Sequence, residues 1–374
     1  PGEFYQLDFE MSFATQEDVF RVGEKVLADT FNKFAPEGYE VTQAPFPIIS
    51  YKQAMLEFGT DKPDLRNPLI IQDVTKLFVN TEFNAFKGKT IKIIVVPNGA
   101  EQGRKFFDNM TEFAKEETGA NGLAWVKVEA DGYTGGIAKF ITDEAKQGLE
   151  QEYGVKTNDA IFFVADELRV AQKIAGLIRI ELGKRLNLLE KNVYRFCFIT
   201  DFPMYELSDE GTIDFNHNPF SMPQGGMEAL ENREPLDILA YQYDVVCNGY
   251  EMASGAVRNH DPELMVKAFE IAGYSEKEVE ARFGALYNAF QYGTPPHAGA
   301  APDTEMPPHG SALRRSGRGR AVRACAVAGA GHLRAGYTGS SAAHPLADGA
   351  LALYGCHRRR NAQRPRRTGL LCAL

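Results

Sequence analysis

The amino-acid composition of this chain changes abruptly at Pro302. Residues 303–374 contain twelve Arg and no Lys, Ile or Phe, and they are dense in Ala, Gly, Pro and Ser. A sudden loss of Lys, Ile and Phe with a rise in Arg and Ala is typical of out-of-frame translation of GC-rich DNA. Without Ile and Phe, and with little periodic apolar pattern, such a segment has little with which to build a core. We therefore expect residues 1–302 to form the folded body of the protein.

The net charge divides at the same place. The chain has 41 basic and 50 acidic residues, and residues 303–374 hold 12 of the basic and three of the acidic ones. The body is left with 29 basic and 47 acidic residues, or −18, and the tail carries +9. An acidic body argues against a protein that coats nucleic acid by general charge attraction.

The cysteines and the apolar pattern indicate the compartment. Cys197 and Cys247 are the only cysteines of the body, in no metal-like spacing, which favours a reducing cytoplasm. Both lie in apolar runs, so we expect buried thiols rather than nucleophiles. No run of 18 apolar residues occurs, so we expect no membrane partner. The opening PGEFYQLDFE is neither a signal peptide nor a start, and we expect the beginning of the protein to be missing.

Residues 4–13 alternate in polarity, which predicts a half-exposed strand. The apolar set should face a core and comprises Leu7, Phe9, Met11 and Phe13. The polar set should face a cleft and comprises Gln6, Asp8, Glu10 and Ser12. From residue 15 the period is helical, with a cap at Thr15 or Gln16. Its predicted inward face comprises Val19, Phe20, Val22, Val26, Leu27 and Phe31.

The remainder of the body predicts an α+β protein with an insert. Turn residues at 60–69 suit a domain junction, and residues 61–188 mix strands with helices on the scale of a domain. The expected strands of this part are 91–96 and 160–164, and its helices are 102–117 and 167–186. Residues 189–302 return to strands at 194–200, 201–205 and 240–249, followed by helix over 262–289. Pro262 suits a first helical turn, and Gly273 suits the residue after a helix C-terminus. The segment 292–302 predicts a turn that leads into a strand or helix.

Several unusual segments occur in one order. They are EFYQLDFEMSF (3–13), TDKPDLRNP (60–68), FNHNPFSMP (215–223), YDVVCNGYEMASGAVRNH (243–260) and YGTPPHAGAAP (292–302). Together they resemble the bacterial-type aspartyl-tRNA synthetases, a class II family, over residues 3–302. The resemblance implies an α+β fold in which residues 1–60 and 189–302 form an antiparallel class II catalytic sheet with helices. It also implies a GAD-like insert at 61–188 and leaves 303–374 as an aberrant, disordered tail.

The resemblance implies an aspartate–tRNA ligase. Such an enzyme activates L-aspartate with ATP and Mg²⁺ to aspartyl-adenylate and transfers it to tRNA-Asp; whether tRNA-Asn is also charged stays open. Its main tasks are to align a carboxylate with the α-phosphorus and to neutralise phosphate charge. The family forms homodimers, but motif 1, which builds that interface, is missing here.

The resemblance also assigns roles to residues of the nucleotide site. Phe4 would stack on adenine, and Gln6 would lie beside the nucleotide. Glu251 would bind Mg²⁺ together with the ATP phosphates, as a hard oxygen ligand does. Glu251 and Arg258 would be the catalytic pair.

A second set of residues would bind aspartate. Asp8 would hold the α-ammonium group, His217 would help to close the pocket, and Arg258 would pair bidentately with the side-chain carboxylate. Three small residues would let the substrate approach the backbone, namely Ser254, Gly255 and Ala256.

Each of these residues has a plainer interpretation when taken alone. Asp8 and Glu10 could be the solvated face of a strand. His217 could belong to a turn, and Glu251 could pair with Arg258 at the surface. The functional interpretation depends on their joint occurrence.

Two departures predict that this chain does not aminoacylate. The Arg that opens motif 2 and contacts the α-phosphate is absent. Motif 3 should continue HAG-x-A-x with Gly, an apolar residue, Asp and Arg, but residues 303–306 read Asp-Thr-Glu-Met. Each lost Arg would lower the rate by about 10²–10³-fold or more. In addition, Asn218 stands where the family often has a second His, which affects recognition of the amino acid or the tRNA.

Alternatives remain open at this stage. The tail can be a frameshift product, a genuine basic tail that binds tRNA, or a third domain, and its composition favours the first. The chain can also be a non-catalytic fragment or paralogue that binds a partner or amino acid, or one in which the insert alone folds. Because motif 3 is lost from the centre of the sheet, we expect poor stability and aggregation.

Overall fold

The computed structural model describes residues 6–208 and 210–302, and the backbone of 351–352. The chain divides into two compact units. Unit 1 comprises Pro1–Tyr51 and Tyr194–Leu374, and unit 2 comprises Lys52–Val193. The predicted insert at 61–188 falls within the sequence of unit 2. The disorder expected for the tail concerns residues that, apart from 351–352, lie outside those described.

Eight α-helices occur in the described part of the chain. They are α1 (Gln16–Phe34), α2 (Tyr51–Glu57), α3 (Arg104–Thr118), α4 (Asp143–Tyr153), α5 (Leu168–Arg185), α6 (Gly226–Asn232), α7 (Pro262–Ile271) and α8 (Glu276–Phe290). Single 3₁₀ turns cover Thr75–Phe78, Gly99–Glu101, Ala138–Phe140 and Pro235–Asp237. None of the helices in these ranges has both the length and the apolar character that a bilayer span requires.

The described strands are mostly short. They are β1 (Phe9–Ser12), β2 (Glu40–Val41), β3 (Ile48–Ser50), β4 (Ile71–Asp73), β5 (Thr90–Val96), β6 (Ala124–Glu129), β7 (Gly132–Thr134), β8 (Ala160–Asp166), β9 (Val193–Tyr194), β10 (Phe196–Thr200), β11 (Phe202–Pro203), β12 (Tyr205–Leu207), β13 (Ile213–Phe215), β14 (Leu239–Ala240), β15 (Gln242–Cys247), β16 (Tyr250–Val257), β17 (His297–Pro302) and β18 (Leu351–Ala352).

Unit 1 is built on a seven-stranded sheet in the order β18–β1–β17–β16–β15–β10–β3. All neighbours are antiparallel except β10 and β3. The predicted α+β class with an antiparallel sheet is thereby confirmed. The element expected to follow segment 292–302 is instead formed within it, because His297–Pro302 is itself the strand β17.

Helix α1 covers one face of this sheet. Thr15 caps it and forms a capping box with Asp18, which confirms the predicted start. Its apolar stripe packs with Phe9 of β1 and Tyr243 of β15 in one core cluster. For two residues the prediction that the side chain faces the core is wrong. Val26 is 45% exposed, and Phe13 is 74% exposed because its φ of 57° turns the chain out of the strand.

Strand alternation then places a second set of side chains on the opposite face of the sheet, which we call the site face. Glu10 pairs with Gly299, Gly299 with Ala256, and Ala256 with Gln242. These four residues form one row across β1, β17, β16 and β15. The row combines two long polar side chains at its ends with two small residues in its middle.

Unit 2 contains a five-stranded antiparallel sheet in the order β4–β5–β8–β6–β7. Both faces of this sheet carry apolar clusters: α3 and α5 contribute to one and α4 to the other. The strands and helices predicted in this part are confirmed with shifts of a few residues at their ends. The resemblance of unit 2 to a GAD domain stays a prediction.

Candidate functional site

An ion pair between Arg258 and Glu10 lies on the site face. Arg258 follows β16, and its Nε and Nη2 both donate to Oε1 of Glu10, at 2.9 and 2.6 Å. The two side chains are 19% and 27% exposed, so this pair is partly removed from water. Arg258 therefore pairs with Glu10 rather than with Glu251, and Glu10 is not merely a solvated residue of a strand.

Gly299 makes room for this pair. A Cβ atom at this position would lie 2.1 Å from the Phe9 carbonyl oxygen and 2.5 Å from Cδ of Glu10. A side chain at residue 299 is therefore incompatible with Glu10 in its observed place. The second carboxylate oxygen of Glu10, Oε2, is buried and has no hydrogen-bond partner among the described residues.

A loop comprising residues 216–222, which we call the HNP loop, runs beside Arg258. Ser221 forms an antiparallel bridge with Arg258. The neighbouring backbone bonds run from Met222 N to Val257 O (2.8 Å) and from Asn259 N to Phe220 O (2.7 Å). The loop is thus joined to the strand end that carries the guanidinium group.

His217 lies on this loop, and its role in closing the amino-acid pocket, which the resemblance assigns, stays a prediction. Its imidazole is exposed and meets the ring of Phe202 edge to face, with the centroids 5.1 Å apart. The neighbouring Asn218 directs its backbone N–H to Oε1 of Gln242 at 3.2 Å. Gln242, which the sequence did not single out, is 4% exposed.

The predicted nucleotide and ammonium ligands lie near the start of β1 and on β16. Leu7 N donates to Pro302 O at 2.9 Å, which holds residues 6–8 beside the end of β17. Gln6 and Asp8 are both half-buried there, and alternation from Phe9 places Asp8 on the site face. Phe4 and the motif 3 positions 303–306 lie outside the described residues.

Glu251 is exposed on β16, where a β-bulge shifts the register between Val245 and Val246. Bulges commonly re-aim a side chain beside a functional site. In the described ranges, no three or more His, Cys, Asp or Glu side chains come together as a metal cage. Glu251 is therefore an exposed carboxylate that belongs to no such cage among the described residues. The Mg²⁺ role that the resemblance assigns to it stays a prediction.

The small residues 254–256 serve two faces of the sheet. Ala256 and Ser254 lie on the site face. Gly255 does not: it faces the core, where a Cβ atom would lie 2.4 Å from the Tyr243 ring. The buried Tyr243 hydroxyl donates to Gly299 O at 2.9 Å, and burial raises the pKa of Tyr243, so it stays a neutral donor.

The chain is similar to known proteins over most of its length. The profile of the family described as tRNA synthetases class II (D, K and N) matches residues 1–305. The match thus ends three residues beyond the change in composition at Pro302. An aspartate–tRNA(Asp/Asn) ligase of Gluconobacter oxydans is 51% identical over 311 residues, which cover 82% of this chain and 52% of that protein.

Other relatives give the same picture. An aspartate–tRNA ligase of Streptomyces coelicolor is 53% identical over 307 residues, again covering 82% of this chain and 52% of that protein. The chain spans about half the length of these curated relatives. Among solved structures, an asparaginyl-tRNA synthetase of Entamoeba histolytica in complex with asparaginyl-adenylate is 11% identical, with a TM-score of 0.32. That likeness covers 80% of this chain and 42% of the solved one.

Proposed function

This chain belongs to the class II tRNA synthetases (D, K and N), and we propose that its site face is the aspartate-binding site of an aspartate–tRNA ligase. The observation that carries this proposal is the state of Arg258. Among the residues that the structure describes, Glu10 alone engages its N–H donors, and one oxygen of Glu10 accepts from two of the five. The remaining donors form an oriented fork that matches a substrate carboxylate.

The other substrate groups are assigned on the same basis. Asp8 would bind the α-ammonium group of L-aspartate, and His217 on the HNP loop would close the pocket. Gln6 and Phe4 would contact the nucleotide. Glu251 would hold Mg²⁺, which supplies positive charge to the ATP phosphates. The relatives include both an aspartate–tRNA ligase and an aspartate–tRNA(Asp/Asn) ligase, and either specificity is compatible with this site.

The complete protein would activate L-aspartate with ATP and transfer it to tRNA in the cytoplasm. For the present chain we infer binding of aspartate without efficient activation, because the segment after Pro302 does not supply the Arg of motif 3. A frameshift near residue 302 is part of this proposal. The coding DNA around residues 298–306 should then contain Gly-x-Asp-Arg in a shifted frame.

Isothermal titration of the 374-residue chain with L-aspartate tests the proposed function. Arg258→Met should weaken aspartate binding at least about tenfold, as expected for the loss of a charge-assisted bidentate contact. Arg233→Met is the matched control, since Arg233 is exposed on the same unit. L-asparagine should bind more weakly than L-aspartate to the unmodified chain. Equal affinity of the Arg258→Met variant and the unmodified chain, or no aspartate binding at all, would contradict the proposal.

A further inference from the structure

We propose that Gln242 is a positioning residue of this aspartate site, whose buried side-chain oxygen fixes the HNP loop beside Arg258. The inference rests on the proposed function and concerns how one wall of the pocket is held. It begins from the hydrogen bond between Gln242 Oε1 and the backbone N–H of Asn218, at 3.2 Å. Gln242 is almost completely buried, so this oxygen has little access to water.

The two ends of the HNP loop are held by other contacts. Asn216 donates from its backbone N to Met204 O and from its side chain to Glu206, both at 3.0 Å. At the other end, the bridge between Ser221 and Arg258 joins the loop to β16. His217 and Asn218 lie between these ends. The bond to Gln242 ties this middle part to the floor of the sheet.

Asn218 uses its own side chain to shape the turn. Its Oδ1 accepts from Phe220 N at 2.9 Å, as in an Asx turn, and its carbonyl oxygen accepts from Ser221 N at 3.2 Å. The turn leaves the backbone N–H of Asn218 for a partner outside the loop. Gln242 supplies that partner, and loss of its oxygen would leave this N–H unpaired.

Gln242 and Glu10 stand at opposite ends of one row of paired residues. Glu10 orients the guanidinium group of Arg258, and Gln242 holds the loop that carries His217. Ala256 and Gly299 lie between them in the row, and their small size leaves space above the sheet. Glu10 positions the guanidinium group and Gln242 positions the HNP loop above the same part of the sheet. Gln242 should therefore affect substrate binding, although it acts on the substrate only through the loop.

The test combines amide exchange by NMR with aspartate titration of the full chain. Gln242→Met keeps the shape of the side chain and removes its oxygen. It should speed exchange of the Asn218 amide at least tenfold and weaken aspartate binding about five- to tenfold. Gln242→Glu retains an oxygen acceptor and should restore the protection of Asn218. Gln72→Met, on strand β4 of unit 2, is the matched control and should change neither quantity.

The two measurements test separately whether Gln242 holds the HNP loop and whether the chain binds aspartate. Unchanged exchange at Asn218 in Gln242→Met would overturn the inference, whatever the affinity for aspartate. Faster exchange with unchanged aspartate affinity would overturn it as well, because the loop would then be anchored without consequence for the pocket. If the unmodified chain does not bind aspartate, the proposed function fails, and the exchange data still decide whether Gln242 holds the loop. A melting temperature matching that of Gln72→Met shows that the variant is folded.

Discussion

Arg258 and Glu10 meet across the strand that separates them, with two N–H groups of Arg258 donating to one oxygen of Glu10 at 2.9 and 2.6 Å. The intervening strand β17 contributes Gly299 at the point of crossing. The pair therefore depends on a residue without a side chain as much as on its own charges. Because both side chains are largely buried, neither charge is fully solvated if the other is removed.

A methyl group at residue 299 should destabilise unit 1. In Gly299→Ala the new Cβ atom would collide with the Phe9 carbonyl and with Glu10, and backbone atoms of a central strand have little freedom to move. We expect a loss of about 1–3 kcal/mol in the free energy of unfolding, or more. Urea denaturation followed by far-UV circular dichroism would measure it.

The control for that experiment is Gly23→Ala in helix α1. Apart from the neighbouring residues and backbone of its own helix, no described atom lies within 4 Å of a Cβ atom built at residue 23, and helix interiors favour Ala over Gly. This variant should gain about 0.5–1 kcal/mol. If both glycine variants shifted stability in the same direction, the close packing of Gly299 against Glu10 would not be the cause.

Removal of Glu10 should cost stability through the charge left on Arg258. We expect Glu10→Ala to lose about 1–3 kcal/mol, between the values for exposed and for fully buried pairs. Arg258→Met alone should cost a similar amount, and the double variant should cost less than the sum of the two. A double-mutant cycle from urea melts measures this coupling. A coupling energy near zero would show that the two side chains do not stabilise each other in solution.

The sequence predicts local structure well where one short pattern determines it. Thr15 and Asp18 lie three residues apart before an apolar stripe, and the helix begins there as a capping box. Pro262 and Gly273 likewise mark the start and the end of α7, with Gly273 at a φ of 86°. In each case the interacting groups are neighbours in sequence, so tertiary packing has little to add.

The parts that the sequence missed depend on partners far away in the chain. Glu10 and Arg258 are 248 residues apart. From the polarity pattern alone, Glu10 could equally be a solvent-exposed residue of the strand. Segment 292–302 was predicted to be a turn because it is rich in Gly and Pro, yet residues 297–302 are a strand. This strand forms because its small residues fit between β1 and β16. No sequence pattern singles out Gln242, since its hydrogen bond to Asn218 forms only when the HNP loop packs against β15.

Substitution of Arg179 should destabilise unit 2. Its side chain is fully buried in α5 and donates to the backbone carbonyls of Asp64, Asn67 and Leu69. Burial lowers the pKa of Arg179 to about 10, with Asp64 acting in the opposite direction. Lys cannot reproduce this fork of donors, so Arg179→Lys should cost about 3 kcal/mol or more.

Trp125 provides the readout for that variant, because the only Trp of the chain lies in unit 2. Its fluorescence during urea denaturation follows the unfolding of this unit. Arg104→Lys is the matched control on helix α3 of the same unit, where Arg104 pairs with Asp108 one turn away at the surface. The control should change stability by no more than about 0.5 kcal/mol. Equal effects of the two substitutions would show that the carbonyl contacts of Arg179 contribute little.

Cys197 should make unit 1 less stable at alkaline pH. Burial raises the pKa of this thiol from 9.0 to about 12, so the folded state keeps its proton above pH 9 while the unfolded state loses it. The free energy of unfolding therefore falls as pH rises from 9 towards 12, by on the order of 1 kcal/mol between pH 9 and pH 10. Urea melts at pH 8 and pH 10 would show this decline, and Cys197→Ala should reduce its slope by the equivalent of one proton.

Iodoacetamide at pH 8, followed by peptide mapping, should leave native Cys197 unmodified and label it in urea. Rapid labelling of Cys197 in the native chain would contradict the burial of this thiol.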